Sequence, residues 1–136
     1  MREAVGGSLL LYLFIPIIIL IIFFVAFIMN YASAYRAANY VVTQIENCQG
    51  RMNDGCNDMD KIYREIVSKY HYHSPNNKIS PCYISNGSNS YVFRVSLPVS
   101  FEMPMIGNIS WFMVNAETKT IQNLPSKYLN DFGGKC

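Results

Sequence analysis

LLLYLFIPIIILIIFFVAFIM, residues 9–29, decides the architecture of this chain. No Asp, Glu, Lys, Arg or His occurs from Ala4 to Tyr35, and at about 1.5 Å of rise per residue the run covers the ~30 Å hydrocarbon core of a bilayer. It reads as one transmembrane helix. Pro16 removes a backbone donor and should bend that helix, but membrane helices tolerate such prolines because neighbouring groups re-satisfy the freed carbonyl. Ala32-Ser33-Ala34 offers a small-residue cleavage site of the secretory kind. A signal h-region, however, runs about 7–15 residues behind a clearly positive segment, whereas this run is longer and follows Arg2 and Glu3, whose charges cancel. The reading is therefore a retained membrane anchor, residues 1–34, in contact with lipid.

Beyond the anchor the composition changes abruptly. Arg36 to Cys136 holds ten Lys or Arg and eight Asp or Glu, and residues 35–136 make one domain's length. The formal net charge of the whole chain is +2, with no basic run or acidic tail, so nucleic acid is not expected as a partner. Basic residues beside the helix do not orient it, since Arg2 on one side faces Arg36 on the other. Cysteine usage does. Cys48, Cys56, Cys82 and Cys136 all follow the anchor, an even number in a domain too small for a large core, which is the pattern of an oxidising compartment. The domain is expected outside the cytoplasm. Four cysteines allow three pairings. Locality favours Cys48 with Cys56, across the turn between two helices, and Cys82 with Cys136, tying a strand to the end of the chain.

From Tyr35 to Ile45 the sequence continues without Gly or Pro, and Tyr35, Ala38, Val42 and Ile45 share one helical face, so the membrane helix should run on and pack against the domain. The polar stretch Gln49 to Asn57 ends it. A second helix follows, with Asn57 or Asp58 placed to cap it and Met59, Ile62, Tyr63, Ile66, Val67 and Tyr70 forming an apolar stripe. After His73 the punctuation becomes that of a sheet. Turn clusters at 74–77 and 85–89 flank Lys78 to Ile84, and Tyr91, Phe93, Val95 and Leu97 alternate with less apolar neighbours as in a half-buried strand. Pro98 to Gly107 reads as a connection, its prolines arguing for an edge or crossing segment, and Ile109 to Val114 as a last strand before a polar tail, 125–136. The expected fold is α+β: a transmembrane helix extended into a small domain of a second helix packed on a short antiparallel sheet.

No constellation points to catalysis. His71 and His73 would share a face on a strand, but a zinc site needs one or two further ligands and no Cys-x-x-Cys accompanies them. There is no Gly-x-Ser-x-Gly elbow and no Gly-rich loop opening a helix. The acidic residues are dispersed, and cysteine spacings of 8, 26 and 54 suit structural disulfides better than thiol exchange. The expectation is a protein that is not an enzyme, with no cofactor, no metal and no small-molecule substrate.

Two stretches together carry a likeness. The apolar helix with Pro16 some nine residues after the small pair Gly6-Gly7, running into Asn30-Tyr31-Ala32-Ser33-Ala34, resembles the start of TadE-like proteins, the minor pilins or pseudopilins of tight-adherence pili. Tyr91 to Val99, then Pro104, Gly107, Ile109 and Ala116, resemble that family's closing strands. Residues 46–90 have no counterpart in the likeness. The resemblance implies a structural or assembly component of a pilus or related secretion system, with other pilin or assembly subunits as partners and leader processing at Gly6 and Gly7. Counting from a cut after Gly6, Leu11 stands where the family usually carries Glu, and Tyr12 at the aromatic position that follows. The competing reading of the residues is a membrane-anchored binding module outside the cytoplasm.

Overall fold

The computed structural model describes residues 2–103 and 106–136; Pro104, part of the likeness above, lies outside the described residues. One helix, α1 (Arg2–Asn47), carries the apolar run and continues without a break into the domain. Its 46 residues span about 69 Å at 1.5 Å per residue. Pro16 sits inside it and does not end it. Every buried side chain of α1 lies in its last third: Ala34, Ala37, Ala38, Val41, Val42 and Ile45. Tyr35, placed by periodicity on that face, is 50% exposed. The alanines take the inner position because a small side chain lets the helix axis approach the sheet closely, where a phenol would hold it off.

The end of α1 is built from left-handed residues. Gln49 N–H bonds to Glu46 O and Gly50 N–H to Ile45 O, both at 3.0 Å, with φ of +50° and +72°; this is the Schellman arrangement that satisfies the last carbonyls of a helix. Gly50 is also a point of close approach, since a Cβ there would lie 2.9 Å from Leu124 Cδ2 and 3.1 Å from Phe93 Cε2. The Cys48–Cys56 disulfide closes the turn that follows.

Helix α2 (Met59–Tyr70) lies against α1 and buries Ile62 and Ile66. Asp58 occupies its N-cap position without a side-chain cap bond, and Asn57 Nδ2 reaches Gln44 Oε1 at 3.5 Å instead. Side chains pin the two helices together. Ser33 Oγ donates to Tyr70 O at 2.6 Å, Tyr40 Oη donates to Glu65 Oε2, and the Tyr40 and Tyr70 rings lie 5.8 Å apart.

The sheet has three antiparallel strands in the order β1 (Cys82–Ser85), β2 (Tyr91–Met103), β3 (Gly107–Glu117). Phe93, Val95, Leu97 and Val99 on β2 and Val114 on β3 are buried, and α1 covers that face. The strand expected to stop at Leu97 runs on through Pro98 to Met103. Proline is tolerated there because β1 pairs only with Tyr91–Arg94. Beyond Arg94 the far edge of β2 is free, and the Pro98 carbonyl on that edge accepts from Tyr72 Oη at 2.8 Å. No ladder bond is lost. A bulge interrupts the β2–β3 register: Val99 pairs with Phe112 and Phe101 with Ile109, leaving Ser110 and Trp111 against Ser100 alone.

The segment read as a polar tail is anchored at several points. It forms a short 3-10 helix, Ser126–Asp131, and buries Phe132, with Leu124 buried just before it. Gly133 N–H bonds to Pro81 O at 2.8 Å, Tyr83 N–H to Gly134 O and Cys136 N–H to Tyr83 O at 3.0 Å each, and Cys136 is joined to Cys82.

Candidate functional site

The residues singled out by sequence fall in two places. Gly6, Gly7, Leu11, Tyr12 and Pro16 all lie on the part of α1 that stands clear of the domain, with nothing within 4 Å of a Cβ built at either glycine. From Leu9 to Leu20 its large apolar side chains are exposed on every side of the helix, and the most apolar window is entirely unburied. By length and composition this helix can cross a membrane. The four cysteines lie at the opposite end, in two disulfides that fix the approach to α2 and the end of the chain.

Between these ends, His71 and His73 reach a pocket of about 440 Å³ lined also by Asn30, Ser33, Tyr72, Ser100 and Phe101. The two histidines are not on a strand. His71 caps α2 in the left-handed region, φ 54°, and both rings are exposed. Among the described residues no carboxylate or thiol lines the pocket, and the Ser33 hydroxyl is already donated to Tyr70 O. Among the described residues no three His, Cys, Asp or Glu side chains converge. The described lining residues supply hydrogen-bond donors and acceptors but no nucleophile paired to a base.

Tyr72 is the buried polar group of this region. Burial pushes its phenol up to about 12, with Tyr63 nearby adding to the effect. Tyr40, hydrogen-bonded to the Glu65 carboxylate, is likewise raised to about 12. In each case the neutral phenol is favoured in the folded protein, so the stability it contributes is complete below pH ~10, the unfolded value, and is lost as pH rises through about 12. In an absorbance titration of the phenolates, two tyrosines are expected to ionise late in the folded chain and at the ordinary position in urea. Tyr72→Phe should remove one late ionisation and, by leaving the Pro98 carbonyl unpaired, cost about 1 kcal/mol at neutral pH. An unchanged titration curve in that variant would refute the assignment.

Sequence reasoning missed a third feature, the free end of the β2–β3 hairpin. It does not cross away from the sheet but lies along α1: Phe101 meets Phe23 edge-on with ring centroids 6.1 Å apart, and Phe112 meets Phe27 at 5.0 Å. An apolar groove of about 380 Å³ separates the two, reaching Leu20. The available signal was compositional, because residues 95–116 contain a single charged residue, Glu102. No family model, curated protein or solved structure matches this chain.

Proposed function

We propose that this protein is a membrane-anchored structural or assembly subunit of a surface appendage, of the minor pilin or pseudopilin kind found in tight-adherence systems, with its disulfide-bonded domain outside the cytoplasm. The observation that carries this reading is the single helix α1, apolar and exposed on every side from Leu9 to Leu20 and part of the domain core in its last third. A subunit that leaves a bilayer for a filament must exchange lipid for another apolar surface around the same side chains, and Leu, Ile and Phe exposed all round α1 suit a helix bundle as well as lipid. Continuity of the backbone from anchor to core lets the domain and anchor move as one piece. Leu11, at the position where the related pilins carry Glu, makes the contacts of that bundle apolar and leaves out the usual charge pairing. The two disulfides support an oxidising compartment.

A second reading, a membrane-anchored binding module, draws on the pocket beside His71 and His73. Fractionation of the native host separates the two. For an appendage subunit, the chain is expected in the sheared surface fraction together with other pilin-like subunits, and its mature N-terminus by mass spectrometry should be Gly7 or Ser8. Recovery only in the cell membrane, with Met1 or Arg2 intact and no pilin-like protein crosslinked to it, would favour the binding module.

A further inference from the structure

We propose that the free end of the β2–β3 hairpin is a second membrane-contacting element, sinking beside α1 into the interface of the outer leaflet with Trp111 at headgroup depth. The inference rests on α1 being a membrane span, and the geometry of the hairpin carries it from there. Cross-strand pairs on the face of the hairpin turned away from α1 change in order along its length. Arg94 pairs with Glu117, held by a 2.6 Å ion pair; next comes Ser96 with Asn115, then Pro98 with Met113. Over these three pairs the face passes from charged to polar to apolar; beyond them Ser100 stands against Ser110 and Trp111, and Glu102 pairs with Asn108, so polar residues return at the end of the hairpin. The bulge sets Trp111 outward, 86% exposed, with Met113 at 64% and Ile106 at 72%. Trp111, Met113 and Ile106 exposed together are unfavourable in water. Their mixture with Ser100, Ser110, Glu102 and Asn108 in one hairpin end fits an element that rests at the headgroup boundary, where apolar bodies and polar groups are both accommodated, rather than one that enters hydrocarbon.

Its position relative to α1 identifies the occupant. The inner face of the hairpin end touches Phe23 and Phe27, residues of the uncharged run itself, so lipid around that run meets the hairpin too. Depth is limited by the backbone. The outer edges of a two-stranded hairpin carry unpaired N–H and C=O groups that hydrocarbon cannot satisfy, which holds the hairpin at the headgroup–acyl boundary, about 5–10 Å in. The hydrocarbon core then covers α1 from about Ala4 to Phe24, some 30 Å, a span displaced toward the N-terminus from residues 9–29. Arg2 and Glu3 fall just outside its inner edge. The groove lined by Leu20, Phe24 and Ile109 would be filled by acyl chains.

Trp111 is the chain's single tryptophan and serves as the probe. The full chain is reconstituted at low density into phosphatidylcholine vesicles containing lipids brominated at shallow or deep acyl positions, and carbonate extraction is run on the same vesicles. Expected are carbonate resistance, severalfold stronger quenching by shallow than by deep bromines, and little quenching by aqueous iodide. Ile106→Asp and Met113→Asp should each reverse the preference, raising iodide quenching, while the chain remains carbonate-resistant. Iodide-accessible Trp111 in a carbonate-resistant chain would overturn the hairpin inference and leave the span standing. Release by carbonate would overturn both. Shielding of Trp111 that appears only at high protein density, with crosslinking through Met113, would assign the surface to a second copy of the chain and overturn the assignment to lipid.

Discussion

Phe93→Ala is expected to destabilise the domain by about 3–5 kcal/mol, toward the upper end for a buried aromatic truncated in a core. Phe93 is fully buried on β2, its ring 4.2 Å from that of Phe132 and close against Gly50 and Leu124. Three elements therefore meet on one side chain: the cap of α1, the central strand and the tail of the chain. Each wall is separately held, by the Schellman bonds at Gly50, by the Phe93 N–H bond to Thr118 Oγ1 at 3.0 Å with its return bond from Thr118 N–H, and by the Cys82–Cys136 bridge. Walls so fixed cannot collapse into the space left behind, and the cost of an unfilled cavity rises with its volume. Urea denaturation of the detergent-solubilised full chain, followed by circular dichroism, measures the difference. A loss below about 1 kcal/mol would mean that the cavity closes and that these walls are not as rigid as their bonds imply.

Legibility of the fold varied with the kind of signal each element carries. The long apolar helix and its continuation are readable because absence of charge and absence of Gly or Pro are local properties. The inner face of that continuation was misjudged at Tyr35, since periodicity weighs a large side chain above an alanine while close packing of a helix on a sheet selects the reverse. In sequence Pro98 to Gly107 reads as a connection on an edge or crossing segment, whereas β2 runs on through Pro98 to Met103. Whether a proline is tolerated in a sheet depends on which edge is paired, and β1 stopping at Arg94 is a tertiary fact that sequence does not state. The tail is polar in composition yet fixed by Phe132 within it and Leu124 just before it, two buried apolar residues without a period.

For the candidate sites the limit was different. An apolar hairpin end is indistinguishable in sequence from a core strand, because water-avoiding residues look alike whether protein or lipid covers them. The placement of Phe101 and Phe112 against Phe23 and Phe27 is a tertiary fact that the sequence does not state. His71 and His73 illustrate the converse, a pair whose spacing suggested a shared strand face and whose backbone instead includes a left-handed helix cap.

Replacing Cys82 and Cys136 together by serine is expected to cost about 4 kcal/mol, against about 2.5 kcal/mol for the Cys48 and Cys56 pair. In the chain-entropy account the difference follows from loop length, with sequence separations of 54 and 8. The longer closure restricts the unfolded chain across the whole sheet, since the loop it closes contains β2, β3 and the tail. The shorter one restricts only the turn between α1 and α2. In the folded state the two losses also differ in place. At the end of the chain the bridge reinforces the bonds of Gly133, Gly134 and Cys136 to Pro81 and Tyr83, so Cys136→Ser should weaken these bonds and loosen residues 125–136 without unfolding the helices. Hydrogen exchange should then show lost protection at the Tyr83, Gly133 and position-136 amides while Ile62 and Ile66 on α2 remain protected. Removing Cys48 and Cys56 should instead raise exchange around 49–58 and leave the sheet unchanged. If the short-loop variant proved the less stable of the two, the dominant effect of Cys48–Cys56 would lie in the folded state, in holding the turn that positions α2 on α1, and loop length would not be what ranks the bridges.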